Sequence, residues 1–394
     1  MKQFPAIAQT FILTSFSALS LLAVSPVQAA SFSGLGWLPN TSVSYATGVS
    51  ADGSVVVGSS ENSMYSGQAF RWTKVDGLVG LGSFDENIMG GRAHGVSADG
   101  TVVVGELHTG RYDAPISPFR WTQETGIVDL AYIFPNQYPI PYSRAYGVSG
   151  DGSTIVGSSI NFGSAENNGF SGYKAFRWTE SSGVDTLGDG EPQQANAVSA
   201  DGSIVVGVNE YEAFRWTQQT GMVSLGLGSL DLRSSANAVS ADGSVVVGNH
   251  GGQAFRWTQG TGGIGLGDVE YIGGGDAKGV SADGSIIVGV GSDWGMAFRW
   301  TQKTGMVSLK ETLIGAGLDV SGWTLSSANA ISADGFTIVG SGTNPSGQTE
   351  AWVADLEPIP EPLTILGSIA AIAFAAGFEC KFSKNKSDEK DPDA

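Results

Sequence analysis

The chain has 394 residues, 58 of them Gly, with 15% charged and 10% aromatic residues and a formal net charge of -18. That much aromatic and β-branched material excludes low-complexity disorder, so the glycines read as tight turns between short strands. The acidic balance excludes a phosphate-backbone partner, and no nucleic acid is expected. A lone cysteine, Cys380, and three histidines (His94, His108 and His250) exclude a disulfide framework and leave no ligand set for zinc or iron. No cofactor or metal is therefore expected.

Residues 1–30 read as a secretory signal peptide. Lys2 is the positive end, Phe11 to Val24 is the apolar stretch, and Val27 and Ala29 are the small residues before cleavage, placed after Ala29 or Ala30.

Residues 31–357 are a repeat array. The phrase V-S-A-D-G-S-x-V-V-G recurs with its Asp at Asp52, Asp99, Asp151, Asp201, Asp242, Asp283 and Asp334, at intervals of 47, 52, 50, 41, 41 and 51 residues. The phrase A-F-R-W-T follows each copy, with Trp at Trp72, Trp121, Trp178, Trp216, Trp257 and Trp300, and ends as Ala351-Trp352-Val353-Ala354. A third phrase, x-V-x-L-G, comes next, as in "GMVSLG" from Gly221. Each repeat thus carries four short strands, exemplified by Ala195 to Ser199, Ser203 to Val208, Glu212 to Thr217 and Met222 to Leu225. Asp-Gly between apolar runs is a hairpin signal because Gly accepts the positive φ of the turn. Four strands at this period predict an all-β, seven-bladed β-propeller of four-stranded blades. The seventh copy lacks its fourth strand, and "SFSGLGWLP" (Ser31 to Pro39) reads as the missing one, an N-terminal strand that closes the ring.

The repeated Asp residues read as turn formers, since each stands alone before Gly and a Ca²⁺ site needs several oxygens in one loop. The Arg of each F-R-W reads as a structural partner, with the repeated Asp as its expected counter-charge; lining a channel is the alternative. Phe and Trp share one face of their strand and read as core between blades. Function is sought where the repeat is interrupted: residues 106–118, 131–144, 161–173 and 310–325. The second of these carries Tyr132, Tyr138 and Tyr142 among prolines, a composition suited to stacking on sugar rings, and the last reads as a short helix. No nucleophile–base motif and no distinctive carboxylate pair occurs, so no catalytic residues are assigned and a non-enzyme is expected.

Residues 358–394 read as a sorting segment: Pro360-Glu361-Pro362, an apolar transmembrane helix over 363–378, and a cytoplasmic tail over 379–394 that opens with Lys381, Lys384 and Lys386. This arrangement resembles the PEP-CTERM sorting signal. The resemblance implies recognition by an exosortase-type enzyme during export and at least transient membrane anchoring through the helix. The tail departs from that pattern in ending on acidic residues. The repeats resemble the extracellular HAF-repeat family; Ala-Phe is kept in five copies, but the preceding residue is Gln68, Lys174, Glu212, Gln253 or Met296, never His. Together these features predict an exported module of the cell surface or extracellular matrix, non-enzymatic and associated with polysaccharide. The alternatives are a glycan-active enzyme with carboxylates at one propeller mouth and a protein-binding surface scaffold.

Overall fold

Every V-S-A-D-G phrase folds as the same hairpin in the computed structural model, which describes residues 30–63, 66–82, 90–108, 116–130, 142–162, 170–188, 193–228, 232–267, 274–292 and 295–356. In the first copy the Ser50 hydroxyl donates to Asp52 Oδ1 at 2.7 Å, and that oxygen also accepts from the Ser54 N–H at 3.0 Å. The Ser50 hydroxyl in turn accepts from the Val55 N–H at 3.0 Å. Gly53 sits at φ +74°, and a Cβ there would lie 2.1 Å from Thr337 Oγ1 of the seventh repeat. Glycine is thus required twice over, for the turn and for the approach of two blades. The same Ser–Asp bond recurs at Asp99, Asp151, Asp201, Asp242, Asp283 and Asp334.

The described residues form seven four-stranded antiparallel sheets, each running first, second, third, fourth strand in order. In the fourth repeat the strands are Gln193–Val198, Ile204–Asn209, Glu212–Thr217 and Gly221–Ser224, within two residues of the sequence expectation. The seventh sheet takes its outer strand from the chain start: Ser31–Gly34 pairs with Thr349–Asp355, with Ser31 opposite Asp355 and Gly34 opposite Trp352. This strand is shorter than expected. Beyond it, Leu35 and Leu38 turn inward and are buried against Val339 and Ala351.

First strands contact the first strands of both neighbouring blades all around the ring, so they surround a central channel. Seven apolar clusters occupy the interfaces between blades. Each places the Phe and Trp of one blade, or Trp352 in the seventh, against the valines or isoleucines of the preceding one. Phe70 and Val56, for example, meet Val339 and Ala351. Phe70, Phe119, Phe176, Phe214 and Phe298 are among the largest fully buried side chains.

The Asp-Gly turns are joined to one another as well. Seven backbone hydrogen bonds of 2.9–3.1 Å run Ala51 to Ala98, Gly150, Ala200, Ala241, Ala282, Ala333 and back to Ala51. Each residue donates its N–H to the next blade and accepts from the previous one. In the girdle each of the seven residues thus has both its N–H and its carbonyl paired.

Strand alternation puts the Asp-Gly turns and the third-to-fourth turns on one face of the ring. The opposite face carries the second-to-third and fourth-to-first connections. All four interruptions (106–118, 131–144, 161–173 and 310–325) join strand ends on that second, variable face. The last contains helix α1 (Leu309–Gly315), capped by Ser308 and anchored by the fully buried Leu309 and Leu313. No helix among the described residues is long and apolar enough to cross a membrane, and residues 363–378 lie outside them.

The F-R-W arginines do not pair with the repeated Asp. They lie on third strands, away from the channel, and two of them reach the following blade's turn through backbone oxygen: Arg177 Nε donates to Gly202 O and Arg256 Nε to Gly284 O, each at 3.4 Å, whereas Arg299 Nε is buried without a hydrogen bond. Arg71 lies 3.9 Å from Asp76 of its own blade. The repeated carboxylates are already occupied by turn donors, which leaves the neighbouring carbonyl as the acceptor.

Candidate functional site

The channel lining is built by a β-bulge repeated in every blade. In the first strand of blade 1, register shifts between Ala46 and Gly48, leaving Thr47 as the extra residue. The equivalent extra residues are His94, Tyr146, Asn196, Asn237, Lys278 and Asn329. The bulge aims that side chain into the channel. It also explains the invariant Gly of V-V-G: a Cβ at Gly58 would lie 1.9 Å from Tyr45 O, and one at Gly105, Gly157 or Gly207 would meet the equivalent carbonyl at 1.9 Å.

The seven bulge side chains, with Tyr45, Arg92, Gln194, Ser235 and Ser327 two residues earlier in five of the strands, line a cavity of about 1020 Å³. Its wall draws on the variable-face ends of first and second strands, and it has two unlike sectors. Across blades 4 to 6 it is an amide and hydroxyl ladder. Gln194 donates to Asn196 at 2.8 Å, Asn196 to Ser235 at 3.2 Å, Ser235 to Asn237 at 3.1 Å, and Asn237 to Asp276. Lys278 closes the series on Asp276 at 2.6 Å. The amides also staple blades together. Asn196, Asn237 and Asn329 donate to the first-strand alanine carbonyl of the next blade (Ala236, Ala277 and Ala46) at 2.7–2.9 Å, and Thr47 does so to Ala93 O at 2.7 Å.

Across blades 1 to 3 the wall is ionic. Arg92 makes a two-pronged contact with Glu61, Nε to Oε1 at 2.7 Å and Nη2 to Oε2 at 3.0 Å. Glu106 takes Arg144 Nε at 2.5 Å and His108 Nε2 at 3.0 Å, with His94 Nε2 3.7 Å away. Burial pushes the Glu106 carboxyl up, but the contacts from His108 and His94 outweigh it and hold the group well below the usual carboxylate range. Burial lowers and Glu106 raises the Arg144 guanidinium, with a net rise; Arg92 is raised by its bonds to Glu61. Burial also pushes the Tyr146 phenol up. The His94 and Tyr146 rings lie 5.4 Å apart at 48°.

These residues are not the ones that the sequence singled out. Tyr142 immediately precedes the first strand of blade 3 and is half-buried, whereas Tyr132 and Tyr138, like Pro360, Glu361 and Pro362, lie outside the described residues. Glu61, Arg92 and Tyr146 went unremarked, His94 was noted only in the histidine count, and Glu106 and Arg144 appeared only as the edges of interruptions. Their signal was present: superposing the seven copies shows the residues flanking the first-strand alanine varying between constant neighbours. No group of three or more His, Cys, Asp and Glu able to hold a metal occurs among the described residues.

No family model matches the chain, and no curated protein matches it. Solved structures do. An oligogalacturonate lyase in complex with manganese is 14% identical with a TM-score of 0.50, over 84% of this chain and 97% of that chain. A streptogramin B lyase is 12% identical at 0.49, over 83% and 98%. The β-propeller domain of Cps50 (Swd1) from Myceliophteria thermophila is 11% identical at 0.46, over 82% and 99%. At such identities the first likeness shows a shared fold, and the other two add nothing to it. The chain is a seven-bladed β-propeller.

Proposed function

We propose that the protein is exported, is sorted to the cell envelope by an exosortase-type enzyme acting on Pro360-Glu361-Pro362, and there binds an extracellular polysaccharide in its channel without cleaving it. The terminal segments and the HAF-like repeats support export and sorting. The observation that carries the binding reading is the cavity wall. Amides and hydroxyls (Gln194, Asn196, Ser235, Asn237, Asn329) stand opposite aromatic and guanidinium groups (Tyr45, Tyr146, Arg92). Sugars present hydroxyls that both donate and accept, with a less polar ring face. Amides match the first and tyrosine rings the second.

A glycan-active enzyme with carboxylates at one mouth is the second reading. It has less support, because Glu61, the carboxylate that lines the cavity, is already bound to the Arg92 guanidinium, and Glu106 behind it is bound to Arg144 and held well below the usual carboxylate range, which does not suit a general acid. A scaffold for surface proteins is the third. The test is titration of the purified full-length protein with the producing organism's own exopolysaccharide, alongside a time course for new reducing ends. Saturable binding without release is expected. Release of reducing ends would move the assignment to the enzyme, and absence of binding would favour a protein partner.

A further inference from the structure

The repeat supplies its own internal control. At four of the seven bulges the channel side chain is spent on the next blade's alanine carbonyl, through Thr47, Asn196, Asn237 and Asn329. Blade 6 departs from both its neighbours at two positions at once. Lys278 stands where blades 5 and 7 have Asn237 and Asn329, and Asp276 stands where they have Ser235 and Ser327. The two departures answer each other. Lys278 Nζ donates to Asp276 Oδ2 at 2.6 Å, with the two side chains 36% and 31% exposed.

Among the described residues, three side chains of Asp, Glu, Lys or Arg line the cavity: Glu61, Arg92 and Lys278. The Arg92 fork is committed to Glu61, and its Nη1 lies 3.8 Å from Glu106. Its donors are thus turned to carboxylates already present. Lys278 differs, since an ammonium carries three N–H groups and Asp276 takes one of them. Without Asp276 it would stand on the wall as an uncompensated cation with donors to spare.

The amide ladder beside it is short of donors. Asn196 directs its amide N–H groups to Ser235 Oγ and Ala236 O, and Asn237 directs its own to Asp276 and Ala277 O. What these two amides leave for a ligand is carbonyl oxygen. A sugar hydroxyl donates to such an oxygen, whereas an ionised carboxylate only accepts.

We infer that the Lys278–Asp276 pair sets the selectivity of the channel, so that the polysaccharide it takes is built of uncharged, hydroxyl-bearing sugar units. The inference rests on the glycan reading above and specifies its chemistry. Hydroxyls donate to the ladder carbonyls and accept from the remaining N–H groups of Lys278. An acidic unit would give up its hydration at a wall whose cations are already paired. The net charge of -18 acts in the same direction.

The neighbouring blades supply the variants. Asp276→Ser installs the residue of blades 5 and 7, which accepts from the preceding asparagine as Ser235 does from Asn196, and leaves Lys278 without its counter-charge. Asp276→Ser with Lys278→Asn completes the blade 5 pattern, with Ala328 O as the acceptor equivalent to Ala277 O, and removes both charges. Asp276→Asn, which keeps the side chain's shape, is read alongside. Purified full-length protein in detergent is titrated by calorimetry with a pool of mixed hexuronate oligomers, and with the same pool after its carboxyls have been reduced to alcohols. The native protein is expected to prefer the reduced, uncharged pool by roughly tenfold or more. Asp276→Ser and Asp276→Asn are each expected to bind the acidic pool roughly tenfold tighter than the native protein does, with affinity for the uncharged pool held within about threefold. The double variant is expected to lose that gain and to keep the native Tm. Equal affinity of the native protein for both pools, or preference for the acidic one, overturns the inference and leaves the glycan reading standing. An acidic-pool affinity that neither Asp276 variant raises overturns the assignment to the pair. Binding of neither pool overturns the inference together with the glycan reading beneath it.

Discussion

The two sectors of the channel wall share a backbone and differ in what their side chains are for. In blades 4, 5 and 7 the bulge residue is an asparagine that ties one blade to the next. In blades 2 and 3 the same position carries His94 and Tyr146, and cohesion passes instead to the buried contacts Arg92–Glu61 and Arg144–Glu106. A fold held by seven equivalent interfaces and a closed backbone girdle can do without three of its seven staples, Lys278 of blade 6 being the third departure, and still close. The comparison teaches that, in a pseudo-symmetric ring, departures at a stapling position mark residues available for other work.

Substitutions in each sector, and a change of pH, break or sharpen this contrast, in descending order of effect. Glu106→Gln removes the counter-charge of Arg144 inside the ionic sector and is expected to destabilise by about 3–5 kcal/mol, the cost of leaving half of a buried pair. Chemical denaturation would measure it. Replacing both partners by their blade 4 equivalents, Glu106→Val with Arg144→Gln, is expected to recover most of that loss, because the amide sector shows the alternative is self-consistent. If the double variant is as unstable as the single one, the two sectors are not interchangeable solutions.

Gly157→Ala tests the bulge that both sectors depend on. Its Cβ would lie 1.9 Å from Arg144 O, so the strand pair must shift at a cost of about 1–3 kcal/mol. A neutral result would mean that the bulge is plastic and does not fix where the channel residues point. Asn237→Ala removes one staple and should cost about 1 kcal/mol, seen as a small fall in the denaturation midpoint. His94→Ala should cost less, having no hydrogen bond from Nε2 to lose.

Acidification applies the smallest perturbation per residue, and it falls on blades 1 to 6 alike rather than on one sector. Asp99, Asp151, Asp201, Asp242 and Asp283 are held below the usual aspartate range by the hydroxyl and N–H donors of their own turns. Burial raises Asp52, but its turn donors leave it lowered as well. Groups with depressed folded-state pKa values contribute stability above the unfolded value, near about 3.9, and lose it as pH falls through the lower folded one. Tm is therefore expected to stay level from neutral pH to about pH 5 and to fall below about pH 4. A decline already under way between pH 7 and 6 would mean that the turns are not what acidification strikes first.

Much of this fold could be read directly. The turn chemistry is local: Ser, Asp and Gly within four residues suffice to make the hairpin, and the sequence repeats them seven times. The closing strand was legible because one copy lacked its fourth strand and the chain start held a spare. The partner of the F-R-W arginine was misread, since the Asp nearest in composition was already satisfied by its own turn. The ionic sector was legible only by superposing the copies. Its members sit where the repeat is least constant, so they look like noise when each copy is read alone.

By itself, the sequence determined the number of blades, the hairpin in each and the apolar faces between them, because these follow from short-range turn preferences and a period-two pattern repeated along the chain. Only the tertiary structure decided which residues meet in the channel. Glu61 reaches Arg92 across 31 positions and Glu106 reaches Arg144 across 38. Those encounters exist because neighbouring blades set the second strand of one beside the first strand of the next. Nothing within a single copy says which residue of the next copy it will meet.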